Sequence, residues 1–127
     1  MFCTYTPSTV VPPDSTWSHA VEIRAGARTI HVSGQTGHRP DGSLADGIEA
    51  QSEWAWKNLA DVLRAAGMSL ENLVTTTIYL TSPDFIEPFR AVRAQALGHL
   101  RPAATLVVIS ALAGPGWLVE IAAVAAE

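Results

Sequence analysis

The last quarter of the chain constrains the fold most tightly. Ala104 to Ala111 and Trp117 to Ala125 are two near-continuous apolar runs, parted by Ala113-Gly-Pro-Gly. Apolar runs of this length between turn signals read as strands covered on both faces. The stretch Leu106 to Ala113 is far too short to span a bilayer. A single ionisable side chain, Glu120, interrupts Trp117-Leu-Val-Glu-Ile-Ala-Ala-Val-Ala. A carboxylate in a covered strand needs a partner or a purpose. It is either a general acid or base, or a group that reaches solvent or an arginine across an interface, and the pattern leaves both open.

The rest of the chain supplies what such strands pack against. Ser18 to Ile23 and Arg28 to Ser33 read as two strands joined by the Gly-containing turn Arg24-Ala-Gly-Ala. Gly37 to Ser43 has the composition of a turn, with Asp41-Gly42 at its tip. Asp46 with Glu49 gives capping-box spacing, and Ala55, Leu59, Val62 and Ala66 then recur on one face of a long helix that ends near Gly67. Trp54 and Trp56 cannot both lie on that stripe. Leu73 to Thr81 is dense in β-branched residues and predicts a strand. Ser82-Pro-Asp caps a second helix running from Asp84 to about Leu97.

The order ββαβαββ predicts one α+β domain over residues 17–127, a mixed sheet with two helices on one face. Residues 1–16, rich in Thr, Ser and Pro, read as an extended arm. Helices on one side leave the other sheet face bare, which points to self-association. So does the composition: charged residues are 16% of the chain and hydrophobic residues 48%. The net charge of -4, with no basic stripe, argues against a nucleic-acid partner. The lone Cys3 excludes an intramolecular disulfide, and His19, His31, His38 and His99 lack metal-ligand spacing. No targeting or membrane segment is evident, so a cytoplasmic location is the expectation, with no metal, cofactor or membrane partner.

Generic catalytic motifs are absent: there is no G-x-S-x-G, Walker A, G-x-G-x-x-G or H-E-x-x-H. Ser33-Gly34-Gln35 closes a strand, and it reads either as a simple bend or as a place where backbone N–H groups approach a ligand.

Several segments taken together resemble the Rid superfamily, the YjgF-like or L-PSP endoribonuclease group. They are Ser33-Gly-Gln, the helix from Gln51 through Asn58-Leu59 and Val62-Leu63 to Ala65-Ala66-Gly67, Asp84-Phe85, Arg101-Pro102-Ala103, and Leu118-Val-Glu-Ile with its apolar continuation. The resemblance covers roughly residues 17 to 125. It implies a chorismate-mutase-like fold, a homotrimer, and small-molecule pockets between subunits in which reactive enamines and imines are hydrolysed. By the same resemblance Glu120 orients or activates water, and backbone near Ser33 and Gly34 completes the pocket. Ala104 stands where the family carries the arginine that clamps a substrate carboxylate, with Thr105 beside it. Trp17 stands in place of a wall tyrosine, His19 near a usual glutamine, and Phe89 in place of an asparagine. The reading that follows is a divergent enzyme with Glu120 and His19 as proton carriers. Trp17, Ser33, Gly34, Phe89, Ala104 and Thr105 would line the pocket. Its substrate would be a non-carboxylate or aromatic imine, enamine or tautomerisable compound, with specialised biosynthesis as one setting. A non-catalytic small-molecule-binding or regulatory trimer is the alternative; ribonuclease activity follows from the family label alone.

Overall fold

The computed structural model describes residues 2–127, so Met1 of the expected arm lies outside the described residues. The elements run β1 (Cys3–Tyr5), β2 (Ala20–Glu22), β3 (Thr29–Thr36), α1 (Gly47–Ala65), β4 (Leu73–Leu80), α2 (Ile86–Leu97), β5 (Ala103–Val108) and β6 (Val119–Ala126). Two 3-10 turns, Leu70–Asn72 and Pro83–Phe85, lead into β4 and α2. The main sheet has the order β3-β6-β4-β5, antiparallel except for the parallel pair β4–β5. The α+β reading with a mixed sheet therefore holds.

Alternation along β4 and β6 explains why both helices lie on one face. Thr76, Ile78 and Leu80 on β4, with Val119, Ile121, Ala123 and Ala125 on β6, are buried. Their neighbours Thr75, Thr77, Tyr79, Glu120, Ala122 and Val124 are partly exposed. The expectation that β5 and β6 are covered on both faces is corrected here. In the single chain β6 alternates, and β5 is an edge strand with Val107 and Val108 exposed.

On the covered face, α1 contributes Ala55, Trp56, Leu59 and Leu63, and α2 contributes Phe89, Val92 and Leu97. Each fully buried Leu or Phe stabilises the fold by about 1.5–3 kcal/mol. The stripe on α1 thus runs one residue away from the expected Val62, which is exposed. Trp56 stacks on Phe89 with ring centroids 6.2 Å apart, whereas Trp54 sits near the cations of Lys57 and Arg39. Asp46 occupies the N-cap of α1, but its side chain makes no capping bond.

Two N-terminal expectations change. β2 does not form a hairpin with β3; it pairs antiparallel with β1, inside the segment expected to be loose. The arm is also tied down further along. Ser18 donates its hydroxyl to the Arg101 carbonyl at 2.5 Å and its amide to the Pro102 carbonyl at 3.0 Å. The chain between β1 and β2 therefore crosses the β5 end of the sheet and the flank of α2.

Candidate active site

β3 and β6 pair in register from Thr29 to Val32, and again at Gln35 and Thr36. Between these stretches β3 spends two residues, Ser33 and Gly34, against the single Ala122 of β6. This is a β-bulge, which disrupts the ladder locally and re-aims what stands beside it. Glu120, opposite Thr36 on one side and Tyr79 on the other, projects from the open face of the sheet next to the bulge. A Cβ added at Gly34 would lie 2.5 Å from Glu120 Cδ and 2.8 Å from Oε2. The carboxylate thus occupies the space a side chain at position 34 would fill. Ser33, Gly34 and Glu120, singled out from the sequence, are brought together.

Two side-chain amides of α1, Gln51 buried and Asn58 half-buried, hold both strands at this point. Gln51, 2% exposed, donates Nε2 to the Gly116 carbonyl at 3.0 Å and accepts the Leu118 amide at 2.9 Å, fixing the entry to β6. Asn58 donates to the Thr36 and His38 carbonyls at 3.0 and 2.8 Å, fixing the exit from β3. Neither residue had been assigned a task. A polar side chain at a core position of a helical stripe was the available signal for Gln51.

The remaining expected site residues lie elsewhere. Ala104 pairs with Thr76 and takes the helix-covered side of β5, so within one chain the sheet separates it from Glu120. Thr105 shares the open face, but its place across from Ser33 is three strand spacings away, about 14 Å. Trp17 and Ala104 line a cleft of about 360 Å³ with Ile86, Leu106, Arg90 and Arg93. Trp17 donates Nε1 to Asp14 at 3.1 Å, and Asp14 receives Arg90 at 3.3 Å. The indole hydrogen bond, followed by the Arg90 charge, holds the Asp14 carboxyl below the usual carboxylate range. His19 meets Trp17 edge to face at 4.8 Å and donates Nε2–H to the Val11 carbonyl at 2.5 Å.

Phe89 is not a pocket wall. It is fully buried in the core against Trp56. Two guanidinium groups, of Arg90 and Arg93, reach the cleft of Trp17 and Ala104 from α2. Arg93 had a legible signal: it lies at i+4 between Phe89 and Leu97 on the buried stripe of that helix. Among the described residues no three His, Cys, Asp or Glu side chains gather as a metal set. No helix there is long and apolar enough to cross a membrane.

A chain of this fold, with a bulge glycine under a strand carboxylate, defines a class, and the comparisons agree. Residues 9–127 match the family described as endoribonuclease L-PSP. Among solved structures, the Rid-family protein YyfB from Yersinia pestis superposes with a TM-score of 0.88 at 32% identity, covering 99% of this chain and 98% of that one. Protein mmf2, mitochondrial, from Schizosaccharomyces pombe is 39% identical over 101 residues, 77% of this chain and 79% of the relative. The human 2-iminobutanoate/2-iminopropanoate deaminase is 31% identical over 102 residues, 79% and 74% respectively. This chain belongs to the Rid/YjgF family and has its chorismate-mutase-like fold.

Proposed function

We propose that the protein hydrolyses a small imine or enamine to a carbonyl compound and ammonia, with Glu120 as the proton carrier. The observation that carries this reading is the seating of the Glu120 carboxylate on the Gly34 bulge, open to the uncovered sheet face. An enamine first tautomerises to its imine, a proton passing from nitrogen to carbon; Glu120 then takes a proton from water as the oxygen adds to the C=N carbon, and the nitrogen is protonated in turn. Collapse of the carbinolamine then expels ammonia and forms C=O, with Glu120 relaying the proton between oxygen and nitrogen. In this reading backbone at the bulge and the Ser33 hydroxyl hold the substrate against that carboxylate. His19 carries no proton in this scheme, since its Nε2–H is held by the arm.

The working pocket is a cleft between copies in a homotrimer, in a cytoplasmic setting. The open face, with Glu120, and the β5 edge, with Trp17 and Ala104, are then brought together from neighbouring subunits. The bare face of β4 and β6 and the exposed Val107 and Val108 on the edge strand support this arrangement. An aromatic or extended substrate group would pack on Trp17.

The test is ammonia release from a panel of imines generated in place. Glu120→Gln is expected to lower kcat about 10²–10⁴-fold. Activity that survives the substitution would remove the role given to this carboxylate. The methyl group of Ala104 favours a second reading, a binding or regulatory trimer. A ligand that binds tightly and is recovered unchanged after long incubation would establish it.

A further inference from the structure

Hydrolysis of an enamine makes two opposite demands: a proton must reach carbon, and a proton must leave water. Glu120 meets the second as a carboxylate. A separate acid beside it meets the first without waiting for solvent to reload a single group. Thr36, Tyr79 and Val107 lie in one row with Glu120 across the open face. Thr36 pairs with it from β3 and Tyr79 from β4, and Val107 continues the row on β5. β6 and β4 are the two inner strands, and their register runs unbroken from Thr75 to Leu80, so Glu120 and Tyr79 share a face. Side chains paired directly across antiparallel strands start about 4.5–5.5 Å apart at Cβ. The Glu120 carboxyl carbon leans over the Gly34 bulge on the β3 side, which leaves its β4 side to Tyr79.

The other groups nearby are engaged. The Thr36 hydroxyl and His38 Nδ1 are hydrogen-bonded at 2.6 Å, and the His38 ring meets Trp117 edge to face at 4.9 Å. Of the two tyrosines in the chain, Tyr5 spends its hydroxyl on Glu22 in the N-terminal ribbon. The Tyr79 hydroxyl has no hydrogen-bond partner among the described residues, although the residue is half-buried. On a face that the proposed trimer covers, a phenol hydroxyl needs a polar partner.

We infer that Tyr79 is a second catalytic residue, the acid that protonates the β-carbon of an enamine substrate beside Glu120. The inference rests on the proposed hydrolysis and narrows its substrates to those that arrive as enamines. The Tyr79 O–H proton passes to the carbon as the nitrogen lone pair closes C=N. The phenolate then takes a proton from the iminium nitrogen, which leaves a neutral imine and restores the tyrosine. Glu120 activates water against that imine.

The probes are 2-aminobut-2-enoate, an enamine released from threonine by a dehydratase, and 2-imino-2-phenylacetate, made from phenylglycine by an amino-acid oxidase. The second has no hydrogen beside C=N and skips the Tyr79 step. Reactions run in deuterated water, and the 2-oxobutanoate formed is reduced at once so that NMR reads the label on its β-carbon. The wild-type protein is expected to hydrolyse both probes and to place deuterium on one face of that carbon, in excess over the dehydratase alone. Tyr79→Phe, which keeps the ring, should erase this preference. It should slow enamine turnover at least about 10-fold, less than an acid's full share because solvent also tautomerises the enamine. It should hydrolyse 2-imino-2-phenylacetate as the parent does, whereas Glu120→Gln should slow both probes. Tyr5→Phe should match the parent throughout. A one-faced label that survives Tyr79→Phe, or no preference in the parent, would overturn the inference. Equal slowing of both probes by Tyr79→Phe would do the same and leave the residue a role in packing the cleft, and hydrolysis of neither probe would remove it outright. If Glu120→Gln spared both probes while Tyr79→Phe erased the label, the role of Glu120 would fall and that of Tyr79 would stand.

Discussion

The open-face site and the edge cleft are built on opposite principles. Ser33 and Gly34 on the edge strand β3, and Glu120 on its neighbour β6, sit between strand ends pinned by Gln51 and Asn58, so backbone geometry sets the carboxylate's position. Trp17, Asp14 and Arg90 are held by side-chain contacts at the surface, laid over the flank of α2 by a segment with little regular structure. The comparison teaches where each site is vulnerable. One is disturbed by adding a single carbon to the backbone; the other tolerates loss of an ion pair.

Gly34→Ala should give the largest effect. The new Cβ meets a flexible side chain, so Glu120 swings aside and the sheet survives. Imine hydrolysis should fall about 100-fold while the melting temperature barely moves, measured on the same preparation by ammonia release and calorimetry. If activity and melting temperature drop together, the bulge is holding the sheet more than the carboxylate. Gln51→Ala comes next, with loss in stability first. It strands the Gly116 carbonyl and the Leu118 amide, costing about 1–3 kcal/mol in denaturant unfolding, with reduced turnover as β6 loosens at its entry.

Asp14→Asn should have the smallest effect and a pH signature. The Asp14 pKa is lowered on folding, so its contribution is present above the unfolded value, near 3.9, and is lost as pH falls through the folded value below it. The variant should melt slightly below the parent at pH 7, and the difference should fade on acidification below about pH 4. A difference that persisted there would mean the segment is held by something other than the Asp14 charge.

The same contrast explains what was legible in the sequence. Element order was legible from several signals: the apolar stripe of α1, the β-branched density of β4, the Ser82-Pro-Asp start of α2 and the apolar runs of β5 and β6. Glu120 stood out because it interrupts an apolar run, while the strand-end glycine at 34 was compatible with a simple bend as well as with a close approach. The partners of β2 did not show. Its three residues are largely exposed, so no buried face selects a register, and pairing with β1 is decided by the return of the arm. Phe89 was misplaced because aligning a residue with a family position does not say which side of α2 it takes; Trp56 opposite it decides that. Arg93 was overlooked because a charge on a helix is ordinarily read as solvent-facing, although its spacing from Phe89 and Leu97 says otherwise.

The bulge makes positions 34 and 120 a single heritable unit. A lineage that enlarges residue 34 must shorten or move the acid on the neighbouring strand. One that abandons the acid releases position 34 from its demand for a bare backbone. In descendants of this chain the two residues should therefore change together, and a side chain appearing at 34 alone would mark the moment when the carboxylate's work had ended.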